Sequence, residues 1–255
     1  IGQTDRLISQ LDEARRQGIE VTADIYPYTY WQSTLEVLFP ERDFDNPESA
    51  RFAVTEVSTP AGMLIAHFAP EPDLAGKTLE EIATLRGRDP ATTLMDLIHE
   101  AQLYRDETGE EYVESVIATS MAEEDIDRLL SWPWTNLCTD GELWGSHPRG
   151  FGSFPRVLSR YVRERGAVSL EEAIHKMTER AALTAGLERR GRIEAGMYAD
   201  LVLFDPASVT DRATTESPHA DSEGILKVWI NGEIVWDQGE VTSARPGRVL
   251  RRPAS

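Results

Sequence analysis

A short apolar run that ends in an acid and a glycine-rich loop constrains the fold of this chain more than any other feature. Residues 134–155 read WTNLCTDGELWGSHPRGFGSFP. The run predicts a strand that presents Asp140 at its carboxyl end, and the loop beyond it contains His147 and Arg149. Ligands and catalytic groups gather at the carboxyl ends of strands in α/β folds. Because Asp-Gly is also a common turn dipeptide, it is the basic and aromatic residues after it that favour a functional site.

The order of the predicted elements favours an α/β fold. Helical periodicity begins at Thr4, which can cap the helix, and Gly18 can end it in the left-handed conformation. A strand is predicted directly afterwards, over 19–25. Another predicted strand, over 114–119, leads through a helix into the strand that presents Asp140. Such strand and helix alternation is typical of a parallel sheet or a barrel wall.

Breaks in this repeat divide the chain into four predicted segments. Turn-rich composition after residue 34 indicates an insertion, and the dipeptide Asn231-Gly232 is a strong hairpin signal in a β-rich tail, where two further strands are expected within 191–206. We predict strand and helix units of a parallel sheet or barrel at 1–34, an inserted subdomain over the candidate site at 35–112, the last of these strands and helices at 113–188, and a small β domain at 189–255.

Composition excludes several classes of partner. The chain has 255 residues with 26 basic and 44 acidic side chains, a net charge of −18 that repels phosphate backbones and anionic lipid surfaces. We therefore expect neither a nucleic-acid partner nor a membrane partner. No apolar run of about 18 residues and no secretory signal is present, so a cytoplasmic location is expected. The single cysteine, Cys138, excludes an intramolecular disulfide and is expected in the core.

An aromatic segment follows the first predicted strand. Residues 26–34 read YPYTYWQST, and Pro27 stops strand pairing because proline has no N–H to donate. We predict a loop at the carboxyl end of the strand, with stacking surface and hydroxyl groups suited to a small ligand. Ordinary packing of the aromatic rings between strand and loop is the alternative.

Several motifs spread over nearly the whole chain carry a resemblance to a known family. They are DIYPYTYWQSTL, NLCTDG, HPRGFGSFPRVLSRYVRE, AALTAGLERRGRIEAGMYADLVLFDP and VWINGEIVW. Together they resemble the C-terminal part of the D-aminoacylase (N-acyl-D-amino-acid deacylase) branch of the amidohydrolase superfamily. The resemblance implies an α/β chain that forms the C-terminal portion of a metal-dependent (β/α)8 TIM barrel, with an inserted subdomain and a small β-sandwich domain. It also implies a small-molecule substrate, an N-acylated D-amino acid whose amide bond is hydrolysed.

The resemblance assigns roles to four residues. Asp140 matches the aspartate at the end of the final barrel strand, which binds the metal or its water and acts as the catalytic general base and acid. Arg149 matches the arginine of the HPR motif, whose planar fork suits a substrate carboxylate. Tyr26 and Ser33 match the carboxylate-binding loop. Ser33 is the weaker match, because one residue more separates it from Tyr26 than the family's pattern has.

The expected cofactor is zinc, and most of its ligands are expected upstream of this chain. The family's His-x-His pair, bridging cysteine and two later histidines match nothing here. The five histidines of the chain, at 67, 99, 147, 175 and 219, have no metal-site spacing. The 255-residue chain alone is therefore expected to be one part of a longer enzyme and to be inactive.

Two other functions remain open at this point. One is a different amide or cyclic-amide hydrolase of the superfamily, related to dihydroorotase or hydantoinase. The other is a non-catalytic binding or assembly module, which the missing metal ligands favour. The sequence carries no signal for an oligomeric state.

Overall fold

The fold consists of helices and short strands. The computed structural model describes residues 1–251, and the end of the predicted β domain, 252–255, lies outside the described residues. The strands are, in chain order, β1 (Ala23–Ile25), β2 (Tyr30–Ser33), β3 (Met63–Phe68), β4 (Glu114–Thr119), β5 (Thr135–Leu137), β6 (Leu201–Phe204), β7 (Ile225–Ile230), β8 (Glu233–Asp237) and β9 (Glu240–Val241). The α-helices are α1 (Thr4–Arg16), α2 (Pro47–Phe52), α3 (Leu79–Arg86), α4 (Pro90–Thr108), α5 (Glu123–Ser131), α6 (Arg149–Arg156), α7 (Leu170–Met177) and α8 (Glu179–Ala185). The segment Val157–Glu164 continues α6 as a π-helix.

Internal contacts divide the chain into two units. The first unit contains residues 1–28 and the chain from Glu123 onward, and the second unit is Thr29–Ala122. The predicted insertion at 35–112 falls within the second unit, although the assignment of the four domains stays a prediction. Within residues 1–251, every helix is too short or too polar to cross a bilayer. The cytoplasmic location also stays a prediction.

A parallel strand pair organises the first unit. β1 pairs with β5 in parallel, with Ile25 opposite Leu137. The helix α1 that precedes β1 ends as predicted, because Gly18 adopts a φ of 86°. The predicted cap at its start is wrong: the hydroxyl of Thr4 donates to the carboxylate of Asp125 at 2.7 Å, so this buried side chain fastens α1 to α5.

The β-rich tail of the first unit forms one four-stranded antiparallel sheet in the described residues, in the order β6-β7-β8-β9. The predicted hairpin is confirmed: Asn231 and Gly232 both have positive φ, 50° and 86°, as a type I′ turn requires. Of the two strands predicted within 191–206, the structure contains only β6. The residues before β6 support the hairpin instead, since the carboxylate of Asp200 accepts the N–H of Asn231 at 2.8 Å.

An antiparallel sheet in the order β2-β4-β3 forms the second unit together with the helices α2, α3 and α4. This corrects two expectations. The strand at 114–119 belongs to an antiparallel sheet rather than to a parallel wall, and residues 30–33 of the predicted aromatic loop form the strand β2. Tyr30 and Trp31 suit a strand, but only the partner strand β4 supplies the hydrogen bonds that make one. The core beneath the sheet is apolar; its largest members include Phe39, Phe68, Met63, Leu79 and Leu94.

One carboxyl group lies within this apolar core. Glu114 on β4 is 2% exposed. Its Oε2 accepts the N–H of Leu35 at 2.8 Å, whereas its Oε1 has no hydrogen-bond partner. Burial raises the pKa of Glu114 to about 7; the neighbouring Glu36 adds to this, and the Leu35 N–H and Arg105 oppose it. The native protein therefore retains a proton that the unfolded chain releases at a lower pH.

We predict that Glu114→Gln stabilises the protein above neutral pH. Between the unfolded pKa of 4.5 and the native value of about 7, native Glu114 holds a proton that the unfolded side chain has lost, so the wild type loses stability as the pH rises. Glutamine is neutral at every pH. The variant should gain roughly 3 kcal/mol of unfolding free energy at about pH 8 and almost nothing at about pH 4. Denaturant unfolding at both pH values measures this, with the exposed Glu107→Gln as the matched control. Equal stability of Glu114→Gln and the wild type at pH 8 would contradict it.

Candidate active site

Two predicted site residues lie at the carboxyl edge of the parallel strand pair. Tyr26 directly follows β1, and Asp140 lies three residues beyond the end of β5. The N–H of Cys138 still donates to the carbonyl of Ile25 at 3.0 Å, so the pairing continues a step past the last strand residue. Asp140 then takes a left-handed backbone, with a φ of 46°, and the chain turns there into the glycine-rich loop. The pairing thus brings a phenol and a carboxylate to one edge.

Arg149 joins these two side chains. It is the first residue of α6, and its Nη1 lies 3.1 Å from Oδ2 of Asp140 and donates to the hydroxyl of Tyr26 at 3.2 Å. The guanidinium carbon lies 5.0 Å from the centre of the Tyr26 ring. The Arg149 side chain is only 12% exposed, and a buried guanidinium needs such partners because its charge has lost most of its water.

Asp140 is much more exposed than the strand that leads to it. Its side chain is 62% exposed, although the strand before it, β5, is buried throughout. The physical reason is the backbone: β5 ends at Leu137, and the left-handed turn at Asp140 leads the chain outward. One carboxylate oxygen contacts Arg149, and the side chain is otherwise open to solvent.

The phenol of Tyr26 is held in its neutral form. Burial raises its pKa, and the nearby carboxylate of Asp140 adds to this effect, while Arg149 opposes it. The hydroxyl is therefore protonated at neutral pH. Because it accepts a hydrogen bond from Arg149, its own hydrogen is available for a third group such as a substrate oxygen.

Ser33, the fourth predicted residue, belongs to the other unit. It ends β2 and lies opposite Val116 on β4. Ile65 on β3 pairs with Val116 from the other side, and both of these residues are in the apolar core. Directly opposed residues of antiparallel strands share one face of the sheet, so Ser33 lies on the face that covers this core. Tyr26, Asp140 and Arg149 are brought together within the first unit.

Two glycines allow the loop to fold back on the start of α6. A Cβ on Gly141 would lie 2.3 Å from Cα of Gly150, and a Cβ on Gly150 would lie 2.8 Å from the carbonyl oxygen of Glu142. Both contacts are with backbone, which cannot move aside as a flexible side chain can. Gly141 directly follows Asp140, and Gly150 directly follows Arg149, so this close approach holds the two charged residues side by side.

His147 contacts the site, although the sequence assigned it no role. It is 3% exposed, and its Nδ1 accepts the backbone N–H of Arg149 at 3.0 Å. Its ring packs edge-on against Tyr26, with centroids 5.8 Å apart, and against Tyr28, with centroids 5.1 Å apart. The only sequence signal was its place in the loop, two residues before Arg149.

With this geometry established, comparison with known proteins identifies the family. The model of the amidohydrolase family matches residues 51–236. The chain belongs to the amidohydrolase family. This amidohydrolase chain is 36% identical over 256 residues to the N-acyl-D-glutamate deacylase of Alcaligenes xylosoxydans xylosoxydans, and the alignment covers 100% of the chain and 46% of that relative.

Solved amidohydrolase structures share the fold of the chain. A D-aminoacylase mutant in complex with CuCl2 matches with a TM-score of 0.78 and 34% identity, over 99% of this chain and 47% of that one. The N-acyl-D-glutamate deacylase of Bordetella bronchiseptica, complexed with zinc and a phosphonate inhibitor, matches with a TM-score of 0.74 and 33% identity, over 98% and 46%. The chain spans about half the length of the relatives it matches.

This amidohydrolase chain offers few metal donors around Asp140. Among residues 1–251, no group of three His, Cys, Asp or Glu side chains is arranged to hold a metal ion. Burial, with the charges of Asp24 and Asp140, raises the pKa of the half-buried Cys138 thiol to about 11 although Arg149 opposes this, so the thiol is protonated at neutral pH and a poor ligand. Residues 1–251 therefore do not contain a complete zinc site by themselves.

We predict that Gly141→Ala disrupts the pairing of Asp140 with Arg149. The added Cβ would meet backbone at 2.3 Å, so the loop must move, which costs about 1–3 kcal/mol of unfolding free energy. Thermal unfolding of the variant measures the loss. Gly247→Ala is the matched control, because its Cβ would meet nothing within 4 Å. A Gly141→Ala protein as stable as that control would show that the loop does not need the close approach.

Proposed function

We propose that the full-length protein hydrolyses the amide bond of N-acyl-D-amino acids, releasing a D-amino acid and a carboxylate. The support from similarity is that a relative named N-acyl-D-glutamate deacylase aligns with the whole chain. The support from geometry is the contact between Arg149 and Asp140, 3.1 Å from nitrogen to oxygen. In this proposal Asp140 is the catalytic base and acid, and Arg149 with Tyr26 binds the substrate carboxylate.

The contact between Arg149 and Asp140 carries this proposal, because it matches the shape of the substrate. In an N-acyl amino acid, one carbon atom separates the carboxylate from the scissile nitrogen. A group that binds the carboxylate and a group that protonates the nitrogen must therefore be neighbours. Arg149 offers a planar set of donors, and the neutral hydroxyl of Tyr26 adds another beside it.

Asp140 has the chemistry for both proton transfers. As a carboxylate open to solvent on one side, it can accept a proton from an attacking water and then donate it to the departing nitrogen. Zinc is the proposed cofactor, with Asp140 as one ligand and the others from outside residues 1–255; when bound, zinc would lower the pKa of a coordinated water and polarise the amide carbonyl. Ser33 is proposed to bind the substrate carboxylate as well. This assignment has less support, because Ser33 lies on the sheet face that covers an apolar core.

The finer architecture is part of the same proposal. We propose that the parallel strands β1 and β5 belong to a (β/α)8 barrel, and that the sheet from β6 to β9 is one layer of a small β-sandwich. The parallel register of the pair and the match to the amidohydrolase family support this. The segment 35–112 is proposed as the inserted subdomain that covers the active site.

A substrate panel tests the proposed reaction. The full-length protein with zinc should release amine from N-acetyl-D-glutamate, N-acetyl-D-aspartate or an N-acetyl D-amino acid with an apolar side chain, and should leave the L-isomers intact. Cleavage of cyclic ureides instead would assign the protein to the dihydroorotase or hydantoinase type of hydrolase. A zinc-loaded protein that cleaves none of these compounds would favour the non-catalytic module.

We predict that Asp140→Asn removes turnover in the full-length protein. The amide cannot accept the proton of the attacking water, so kcat should fall by about a thousandfold or more. Substrate binding should remain measurable by calorimetry, because Arg149 and Tyr26 are unchanged. The neighbouring exposed acid gives a matched control, Glu142→Gln, which should retain wild-type kcat. Wild-type turnover by Asp140→Asn would overturn the assignment of the base.

We predict that Arg149→Lys weakens substrate binding more than it slows turnover. An ammonium lacks the planar fork that can bind two carboxylate oxygens and the Tyr26 hydroxyl together. KM for an N-acetyl-D-amino acid should rise by about ten- to a hundredfold, with a smaller change in kcat. Steady-state kinetics on the acid and on its carboxamide provide the check. A similar rise of KM for both substrates would show that Arg149 does not bind the carboxylate.

A further inference from the structure

The start of α6 lacks the usual side-chain cap. Pro148 occupies the cap position and offers no side-chain acceptor. The first N–H groups of a helix have no partner within the helix, and the first of them here is that of Arg149. His147 takes over this role from one residue further upstream, because its Nδ1 accepts the Arg149 N–H at 3.0 Å.

The same imidazole also supports the ring of Tyr26. The centroids of the two rings are 5.8 Å apart at 72°, an edge-to-face arrangement that aromatic rings prefer. Tyr28 makes a second edge contact at 5.1 Å and 87°. His147 is thus in contact with both members of the pair that Nη1 of Arg149 and the Tyr26 hydroxyl form at 3.2 Å. The three residues make a closed triangle.

The hydrogen bond that Nδ1 of His147 accepts defines where the imidazole ring carries its hydrogen. An imidazole nitrogen that accepts an N–H bond carries no hydrogen itself, so in this geometry the neutral ring has its hydrogen on Nε2. A neutral imidazole adds no positive charge beside the guanidinium. It positions Arg149 through the main chain and leaves the side chain of Arg149 to its own partners.

We propose that His147 is a positioning residue of the carboxylate-binding pair: it fixes the main chain of Arg149 through Nδ1 and the ring of Tyr26 through its edge. This proposal rests on the proposed function for its kinetic consequence. Its structural part, that Nδ1 of His147 holds Arg149 in place, does not depend on the reaction.

Two substitutions separate the acceptor from simple packing. In His147→Asn the amide oxygen lies near the place of Nδ1 and can still accept the Arg149 N–H. In His147→Gln the amide extends toward the place of Nε2, so the Nδ1 acceptor is lost while a polar side chain of similar size remains. The matched control is the same pair of substitutions at His175, a half-buried residue on α7 whose ring is 3.2 Å from Glu179.

Kinetics of the full-length zinc enzyme give the first readout. His147→Gln should raise KM for an N-acetyl-D-amino acid by about tenfold and leave kcat within about threefold, whereas His147→Asn should remain within about threefold in both. The KM of the corresponding carboxamide should not change, because that substrate lacks the charge that Arg149 binds. Equal losses in the Asn and Gln variants, or an equal effect on acid and carboxamide, would reduce His147 to a packing residue and overturn the proposal.

Arginine labelling gives a second readout that needs no activity. With 4-hydroxyphenylglyoxal and mass spectrometry, Arg149 should be labelled slowly in the wild type, because its side chain is mostly buried. Labelling should be about fivefold faster in His147→Gln, as expected when the buried state is a less populated part of the local equilibrium, and unchanged in His147→Asn and the His175 variants. Equal labelling in all variants would overturn the proposal. If the wild type fails to cleave N-acyl-D-amino acids, the proposed function fails, and the labelling still decides the role of His147.

Discussion

The parallel pairing of β1 with β5 is the constraint on which the candidate site depends. Two strands that run in the same direction end at the same edge of their sheet, so the chain leaves this edge at Tyr26 and, a few residues past β5, at Asp140. Arg149 then reaches both side chains from the first residue of α6. Tyr26 and Arg149 are 123 positions apart in the sequence, and the pairing of β1 with β5 brings the segments that carry them together.

The candidate site contains a buried positive charge although the net charge of the chain is strongly negative. A net charge of −18 repels anions at a distance, yet an N-acyl amino acid is itself an anion. A guanidinium that is mostly buried provides the local attraction, because a charge is screened less where water is excluded. Asp140 and Tyr26 keep this buried charge paired in the absence of substrate. The same contacts would define where a substrate carboxylate binds.

Close backbone packing fixes the position of the loop between β5 and α6. Gly141 and Gly150 approach so tightly that neither has room for a side chain, and His147 satisfies the N–H of Arg149 that a cap residue would otherwise bind. The second unit accommodates a buried ionisable group in another way. Glu114 lies in the apolar core of the antiparallel sheet, and its carboxyl group is neutralised by a proton rather than by an ion-pair partner.

The sequence by itself determined several local elements and the residue types of the site. The periodicity that begins at Thr4, the Asn231-Gly232 turn and the acid after a buried strand were all readable because they depend on neighbours in the chain. The motifs also determined the family. Tertiary structure alone decided that β4 pairs antiparallel, that Ser33 lies over an apolar core and that Asp140 is exposed. Strand partners, burial and the packing of His147 against Tyr26 depend on residues far away in the sequence, and no local pattern encodes these contacts.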